Sequence, residues 1–467
     1  MGGFSYYQLN ERIKDKQTVV GLIYQLYVFF LTLGSIGINF IPSVLRQYIF
    51  TSTSTLILYI GILTLFISER GIVRIPLRVK ILFYLLAYVV IVNLGMATIL
   101  FSFIGRQNGE TTFTAIIGTT YHWIEAITAI IYNIICLNYY VDQNKVFKLI
   151  IRSSVLALIV RVVQQLVYFR VPGFSIVYST LAPILNLANT NIILERGFSC
   201  FGSEPASASR YLFTTFPALF CCIKDNRNDG RKLKYVFFLF MLTALFLTST
   251  SSTVVILMVL FFCTAFILVF CKKRAMKIWL CSIFFFGLFY VLFYTFGHPE
   301  SLSQFISKEN RFWYSLFGKA FDTTNQSTAY RISSVIVNIK IFFSEFFFTG
   351  VGSGIQGFFY NSYVPSWSLI SAETRALLSG ERGISNGGGN FFPVILSSYG
   401  LIGGCVFGIF IKKFIGLFKM AKNNSENQLW KMFFLLGIAG FLLDGWFSSS
   451  IISNQPLAFL LAIPFVL

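Results

Sequence analysis

Long apolar runs alternate with polar gaps along almost the whole chain. Twelve runs approach the ~20 residues a helix needs to cross a hydrocarbon core. They are Val19–Ile41, Tyr48–Ile67, Ile81–Ile104, Gly118–Leu137, Leu149–Phe169, Ala208–Ile223, Tyr235–Leu247, Thr253–Phe270, Ile278–Phe296, Phe391–Ile411, Met432–Phe447 and Ile451–Leu467. The pattern predicts an all-α polytopic membrane protein with about 12 transmembrane helices, forming one integral membrane domain over residues 1–467. The seventh run is short and the last two nearly touch, so a lower count with one re-entrant hairpin fits the same pattern. The polar stretch Met1–Thr18 lacks a charged–apolar–small-residue cleavage pattern, and no removable signal peptide is expected.

Two gaps are far longer than the rest, residues 170–207 and 297–390. Structureless connections of that length are uncommon, so both loops are expected to hold helices of their own and to carry function. Within the second, Val335–Phe348 has the mixed spacing of an amphipathic helix lying on a membrane surface. Gly350, Gly352 and Gly354 follow it. No strand precedes them and no helix-opening Lys follows, so a helix C-cap and tight turn is expected rather than a phosphate cradle.

Composition agrees with this pattern. The chain is 56% hydrophobic and 12% charged, with 55 Phe, and its mean hydropathy is +0.72. That excludes a disordered tail, a disulfide scaffold and an ordinary soluble multidomain enzyme. The net charge of +19 would suggest nucleic acid in a soluble protein, but its placement says otherwise. Most of the 37 Lys and Arg residues crowd alternate gaps beside span ends: Arg12–Lys16, Arg70–Lys80, Lys145 and Lys148, Lys224–Lys234, Lys272–Lys277, and Lys412–Lys431. Short loops rich in cations stay on the cytoplasmic side, which places both termini there. Nucleic acid is not an expected partner.

Seven of the eight Cys lie in or beside apolar runs, and Cys200 stands alone in an external segment, without a bridging partner. The two His, His122 and His298, are far apart, and no Cys pair has ligand spacing. No metal site is predicted.

Cations in the two long loops escape the orientation rule and need another reason. Arginine outnumbers lysine there, and its planar fork binds phosphate through two hydrogen bonds at once. Arg196, Arg210 and Arg331 sit at junctions between loop and span or loop and surface helix, where the anionic head of a membrane-anchored lipid would lie. Inside the spans, Arg152 can snorkel to the interface. Arg161 and Asp444 lie deeper, where charge is expensive, and both a functional and a structural role stay open for them.

Three segments resemble a known family. Arg196-Gly-Phe-Ser-Cys-Phe-Gly-Ser-Glu-Pro-Ala-Ser-Ala-Ser is similar to the R-x-G-x-x-x-E-P-S stretch of bacterial O-antigen and capsule polymerases (Wzy-type). The run from Arg331 to Ser-Glu-Phe-Phe-Phe-Thr-Gly-Val-Gly-Ser-Gly354 resembles the R…P-L-x-G-x-G-x-G segment in the large loop of the O-antigen polymerase and ligase superfamily. Asn390-Phe-Phe-Pro-Val-Ile-Leu-Ser-Ser-Tyr-Gly-Leu-Ile-Gly resembles the H-N-x-x-L…G-L-x-G start of the span after that loop. The ligases carry His before this Asn, where the present chain has Gly389. That departure favours a polymerase over a ligase.

The resemblance implies a GT-C-like fold in the bacterial inner (plasma) membrane. It also implies an enzyme that moves a growing glycan from undecaprenyl diphosphate to a sugar hydroxyl of another lipid-linked repeat. Such an enzyme mainly positions two substrates and stabilises a departing diphosphate, which arginines can do without metal or other cofactor. On this reading Arg196, Arg331 and Glu204 form the catalytic set, with Glu204 as general base. Glu204 as an N-cap or salt-bridge partner is the structural alternative. Arg210, Arg311, Asn390 and Arg161 are expected to bind substrate. Expected partners are the undecaprenyl-diphosphate-linked oligosaccharide, membrane lipids, a chain-length regulator and a flippase. Ligase-type transfer shares this architecture. A flippase or transporter would show internal repeats and a smaller loop.

Overall fold

The computed structural model describes residues 6–33, 52–73, 75–107, 109–185, 213–225, 232–247, 252–270, 324–379, 390–420, 425–445 and 455–467, with residues 187, 190, 191, 193, 211 and 230. These are mostly helical. In order they form α1 (Tyr6–Leu31), α2 (Thr53–Ser68), α3 (Lys80–Ile104), α4 (Thr112–Tyr139), α5 (Gln143–Tyr168), α6 (Phe174–Leu185) and α7 (Thr215–Lys224). There follow α8 (Lys232–Leu247), α9 (Ser252–Phe270), α10 (Gln326–Ser344), α11 (Ala372–Leu378), α12 (Phe391–Met420), α13 (Ser425–Asp444) and α14 (Gln455–Val466). A small antiparallel hairpin, β1 (Arg106–Gln107) with β2 (Glu110–Thr111), joins α3 to α4, with Gly109 at positive φ in its turn.

Among the described residues three helical stretches are long and apolar enough to cross a membrane: Leu77–Ile104, Thr112–Tyr139 and Phe391–Met420. Several predicted spans have different bounds in the structure. Among the described residues, the run at Ala208–Ile223 meets a helix over Thr215–Lys224, and Ile451–Leu467 is helical over Gln455–Val466. The run Ile278–Phe296 lies outside the described residues. Both long gaps do hold helices, α6 in the first and α10 and α11 in the second.

α4 is the central helix: 61% of its most apolar stretch is buried, against 33% and 28% for the stretches in α3 and α12. α1, α2, α3 and α14 pack on it. The outward faces stay apolar, with Ile91, Phe103, Phe240 and Ile409 well exposed. Such faces belong against lipid rather than water. Between helices in lipid, association comes from close packing rather than from exclusion of water. Small residues show this: a Cβ on Gly61 of α2 would strike the Tyr132 hydroxyl of α4, and one on Gly437 of α13 would meet Leu460 of α14.

One core lies among α1, α2, α4, α5, α7, α9 and α12–α14, built on residues such as Tyr27, Tyr132, Phe216, Phe433 and Phe459. A second joins the ends of α3 and α4 to α10, α11 and the segment between them through Met96, Ala115, Val337, Ile355, Phe358 and Leu377. This second core positions the candidate site.

Candidate functional site

α10 forms because its apolar and small residues recur at helical spacing. Ala329, Ile332, Val335 and Ile341 are buried, with the small and polar Ser333, Ser334 and Asn338 buried between them, and Asn325 caps its start by accepting from the Thr328 amide at 3.4 Å. It begins before the predicted Val335 and ends at Ser344, not at Phe348. Glu345 is extended, and Phe346 takes φ 38°, a left-handed value that closes the helix for good.

The glycine run is therefore not a helix C-cap, as its sequence suggests; it lies beyond one. Gly350, Gly352 and Gly354 have φ of 70°, 86° and 94°. They bring the backbone hard against α12, which kinks at Gly400 (φ 59°, ψ −160°). The kink strands two helical carbonyls and two amides, which the glycine turn satisfies. Val351 N donates to Ser397 O at 2.9 Å and Gly352 N to Ser398 O at 2.9 Å. In return Leu401 N donates to Phe347 O at 3.0 Å and Ile402 N to Phe348 O at 2.9 Å. A Cβ on Gly350 would collide with the Ser398 carbonyl, and one on Gly400 with the Gly350 amide.

A buried polar seam extends this interlock. Ser353 N donates to Asn93 Oδ1 of α3 at 2.9 Å, and Thr119 Oγ1 of α4 donates to Ser353 O at 2.8 Å. Gln356 Nε2 donates to Ser398 Oγ, and Ser397 Oγ to Asn338 Oδ1 of α10 at 2.7 Å. Three helices thus hold one turn, and with it the start of the segment that follows, while α10 is bonded to α12 beside it. There Tyr363 donates to Glu345 Oε1 at 2.7 Å, and that carboxylate holds the phenol above its ordinary value, with burial adding to the effect. Burial also raises Tyr360.

The structure places three of the predicted site residues, and with them Asp444. Arg331 lies half-buried on α10, and Asn390 is buried immediately before α12, the helix on which α10 packs. Phe391 N, beside Asn390, donates to Gly445 O at the end of α13. Arg161 is buried in α5 and its Nη2 donates to Leu245 O of α8 at 2.5 Å. The bond sets the guanidinium against a main-chain carbonyl of the neighbouring helix, a charge-assisted contact. Asp444 is buried at the end of α13. Arg196, Glu204, Arg210 and Arg311 lie outside the described residues, as does His298.

Sequence reasoning passed over Glu125. It is 2% exposed in the middle of α4. Its Oε1 accepts from Thr55 Oγ1 at 3.2 Å and from Gln455 Nε2 at 2.9 Å, and its Oε2 lies 3.5 Å from His122 Nδ1. The available signal was a lone carboxylate three residues after a histidine inside an apolar run, where an ionisable group marks function by default. Among the described residues no group of three or more His, Cys, Asp or Glu gathers to hold a metal ion.

Comparison of the chain with family models, curated proteins and solved structures finds no match.

Proposed function

We propose that this chain is a membrane-embedded glycosyltransferase that polymerises lipid-linked oligosaccharide repeats. In this reading the fold is GT-C-like with about 12 spans and cytoplasmic termini. The growing glycan passes from undecaprenyl diphosphate to a sugar hydroxyl of another lipid-linked repeat on the outer face of the plasma membrane. The anomeric carbon loses its bond to the diphosphate oxygen and gains one to the acceptor oxygen. Arginines such as Arg331 stabilise the charge that develops on the leaving diphosphate.

The observation that carries this reading is the interlock. Two of the three segments that resemble the polymerases, Arg331–Gly354 and Asn390–Gly403, fold against each other through the glycine turn and the Gly400 kink. Residues far apart in sequence that match one family pattern thereby form a single structural unit beside Arg331 and Asn390. A transporter reading gives that unit no task.

Deleting the gene in its host and examining the surface glycan tests the proposal. Single repeat units in place of a ladder are expected. Unattached polymer would instead mean a ligase, and material trapped on the cytoplasmic face a flippase. Arg331→Ala is expected to abolish polymer while the protein still inserts; full-length polymer from that variant would remove Arg331 from the site.

A further inference from the structure

α2 begins at the level of Glu125. Thr55, which donates to its Oε1, lies in the first turn of α2, whose cap Ser52 accepts from the Thr55 amide at 3.2 Å. Gln455, the other donor, is the first described residue of α14. The far end of α2 confirms its alignment, since Glu69 just beyond it accepts from Tyr140 just beyond α4 at 2.5 Å. α2 therefore runs beside the second half of α4 only. The positive end of α2 thus meets a buried carboxylate midway along a membrane-length helix.

The second oxygen of that carboxylate is unsatisfied by neutral donors. Oε2 is buried and has no hydrogen-bond donor among the described residues; His122 Nδ1 is buried opposite it at 3.5 Å. The His122 side chain is 33% exposed although Nδ1 is not, so its opening lies on the rest of the ring. The titratable groups around the pair are phenols. Tyr27 of α1 donates to Gln455 Oε1 at 2.9 Å, Tyr24 of α1 donates to Asn133 Oδ1 at 2.8 Å, and Tyr59 of α2 bonds Tyr121 of α4 at 2.5 Å. Tyr132 of α4 packs on Tyr24 and Tyr27. α14 contributes only Gln455 to the network.

The pair also sits beside the interlock. Thr119, three residues before His122, donates to Ser353 O in the glycine turn, and Trp123, the next residue, packs edge-on against Tyr399 of α12. Three residues of helix are ~4.5 Å along its axis.

We infer that His122 is a proton acceptor for a hydroxyl ligand, with Glu125 as its positioning residue. Glu125 Oε2 takes the Nδ1–H, which fixes the tautomer and leaves Nε2 as the accepting atom. The identity of the hydroxyl rests on the glycan-transfer reading. As the acceptor oxygen bonds to the anomeric carbon, its O–H breaks and the proton passes to Nε2. The bond from the anomeric carbon to the phosphate oxygen breaks, and its electron pair leaves with the lipid diphosphate. The carboxylate stabilises the imidazolium until water takes the proton.

The chain has two His, so His298→Gln leaves one imidazole for nitrogen-15 NMR of the full chain in nanodiscs. The Nδ1–H tautomer is expected, and Glu125→Gln is expected to abolish that preference. An Nε2–H tautomer, or a tautomer unchanged in Glu125→Gln, overturns the inference whatever the reaction proves to be. In membranes supplied with lipid-linked single repeats, His122→Gln is expected to slow polymerisation by about 10²–10⁴-fold. Glu125→Gln is expected to lower kcat with little change in KM, and Glu125→Asp to recover part of it. Normal polymerisation by His122→Gln overturns the inference while leaving the glycan reading intact. No polymerisation by the unaltered protein defeats the glycan reading, and with it the assigned hydroxyl, while the NMR result still decides the His–Glu pair.

Discussion

Gly350 and Gly400 each answer two demands that no other residue meets together. Both have positive φ, and at both a Cβ would enter neighbouring backbone. Gly350→Ala or Gly400→Ala is expected to destabilise the protein by about 2–5 kcal/mol, from left-handed strain plus overpacking. Gly404→Ala, one turn along the same helix, meets nothing within 4 Å and serves as the neutral control. Thermal unfolding in detergent distinguishes them; equal midpoints for all three would refute the interlock. Tyr363 offers a test by pH. Its phenol is raised above the ordinary 10.0 by Glu345, so the folded form holds the proton after an unfolded chain has lost it. The stability this bond gives is complete below the ordinary phenol value and declines as pH rises past it. Tyr363→Phe is expected to remove that part of the alkaline decline, by a small amount because both partners are half-buried.

At the scale of elements, the α10–α12 contact is a hydrogen-bonded one. Asn338 accepts from Ser397 Oγ and donates to Ser334 O, all within buried surroundings. Asn338→Leu takes away the Ser397 hydroxyl's partner on the neighbouring helix, leaving it Val394 O of its own helix, and is expected to cost about 0.5–1.5 kcal/mol; Ser397→Ala made in that background should add little. Stability measured for both single variants and the double checks it, and full additivity would mean the two side chains are uncoupled. Arg161 poses the opposite question. Its bond to Leu245 O ties α5 to α8, which predicts that Arg161→Ala lowers the unfolding temperature markedly. Loss of substrate affinity with unchanged stability would instead return Arg161 to the binding role that its sequence position suggests.

For the whole molecule, the charge pattern predicts opposite sides for the start of α5 and the end of α10. In a cysteine-free background, Lys145→Cys is expected to react with a membrane-impermeant thiol reagent only from the cytoplasmic side, and Ser344→Cys only from outside; reaction of both from one side would overturn the orientation. Both positions are exposed. Much of this level is legible in the sequence. The apolar runs at Ile81–Ile104 and Phe391–Ile411 became long apolar helices, since length and apolarity are properties of a local stretch. The candidate site was legible only in part. Arg331 and Asn390 could be singled out by position and pattern, yet Glu125 sat unnoticed in a run read as merely apolar.

The physical reason is range. Helix length, outward apolar faces and the clustering of cations follow from neighbours along the chain, so the sequence determined them without help. What surrounds a buried group does not. Glu125 meets a donor 330 positions away, and Ser353 meets Asn93 across 260. The glycines announced a turn, but only packing placed it against the Gly400 kink, because the amides it uses up and the carbonyls it satisfies belong to another helix. Tertiary structure alone decided that a lone carboxylate would stand where α2 begins, with a histidine beside it.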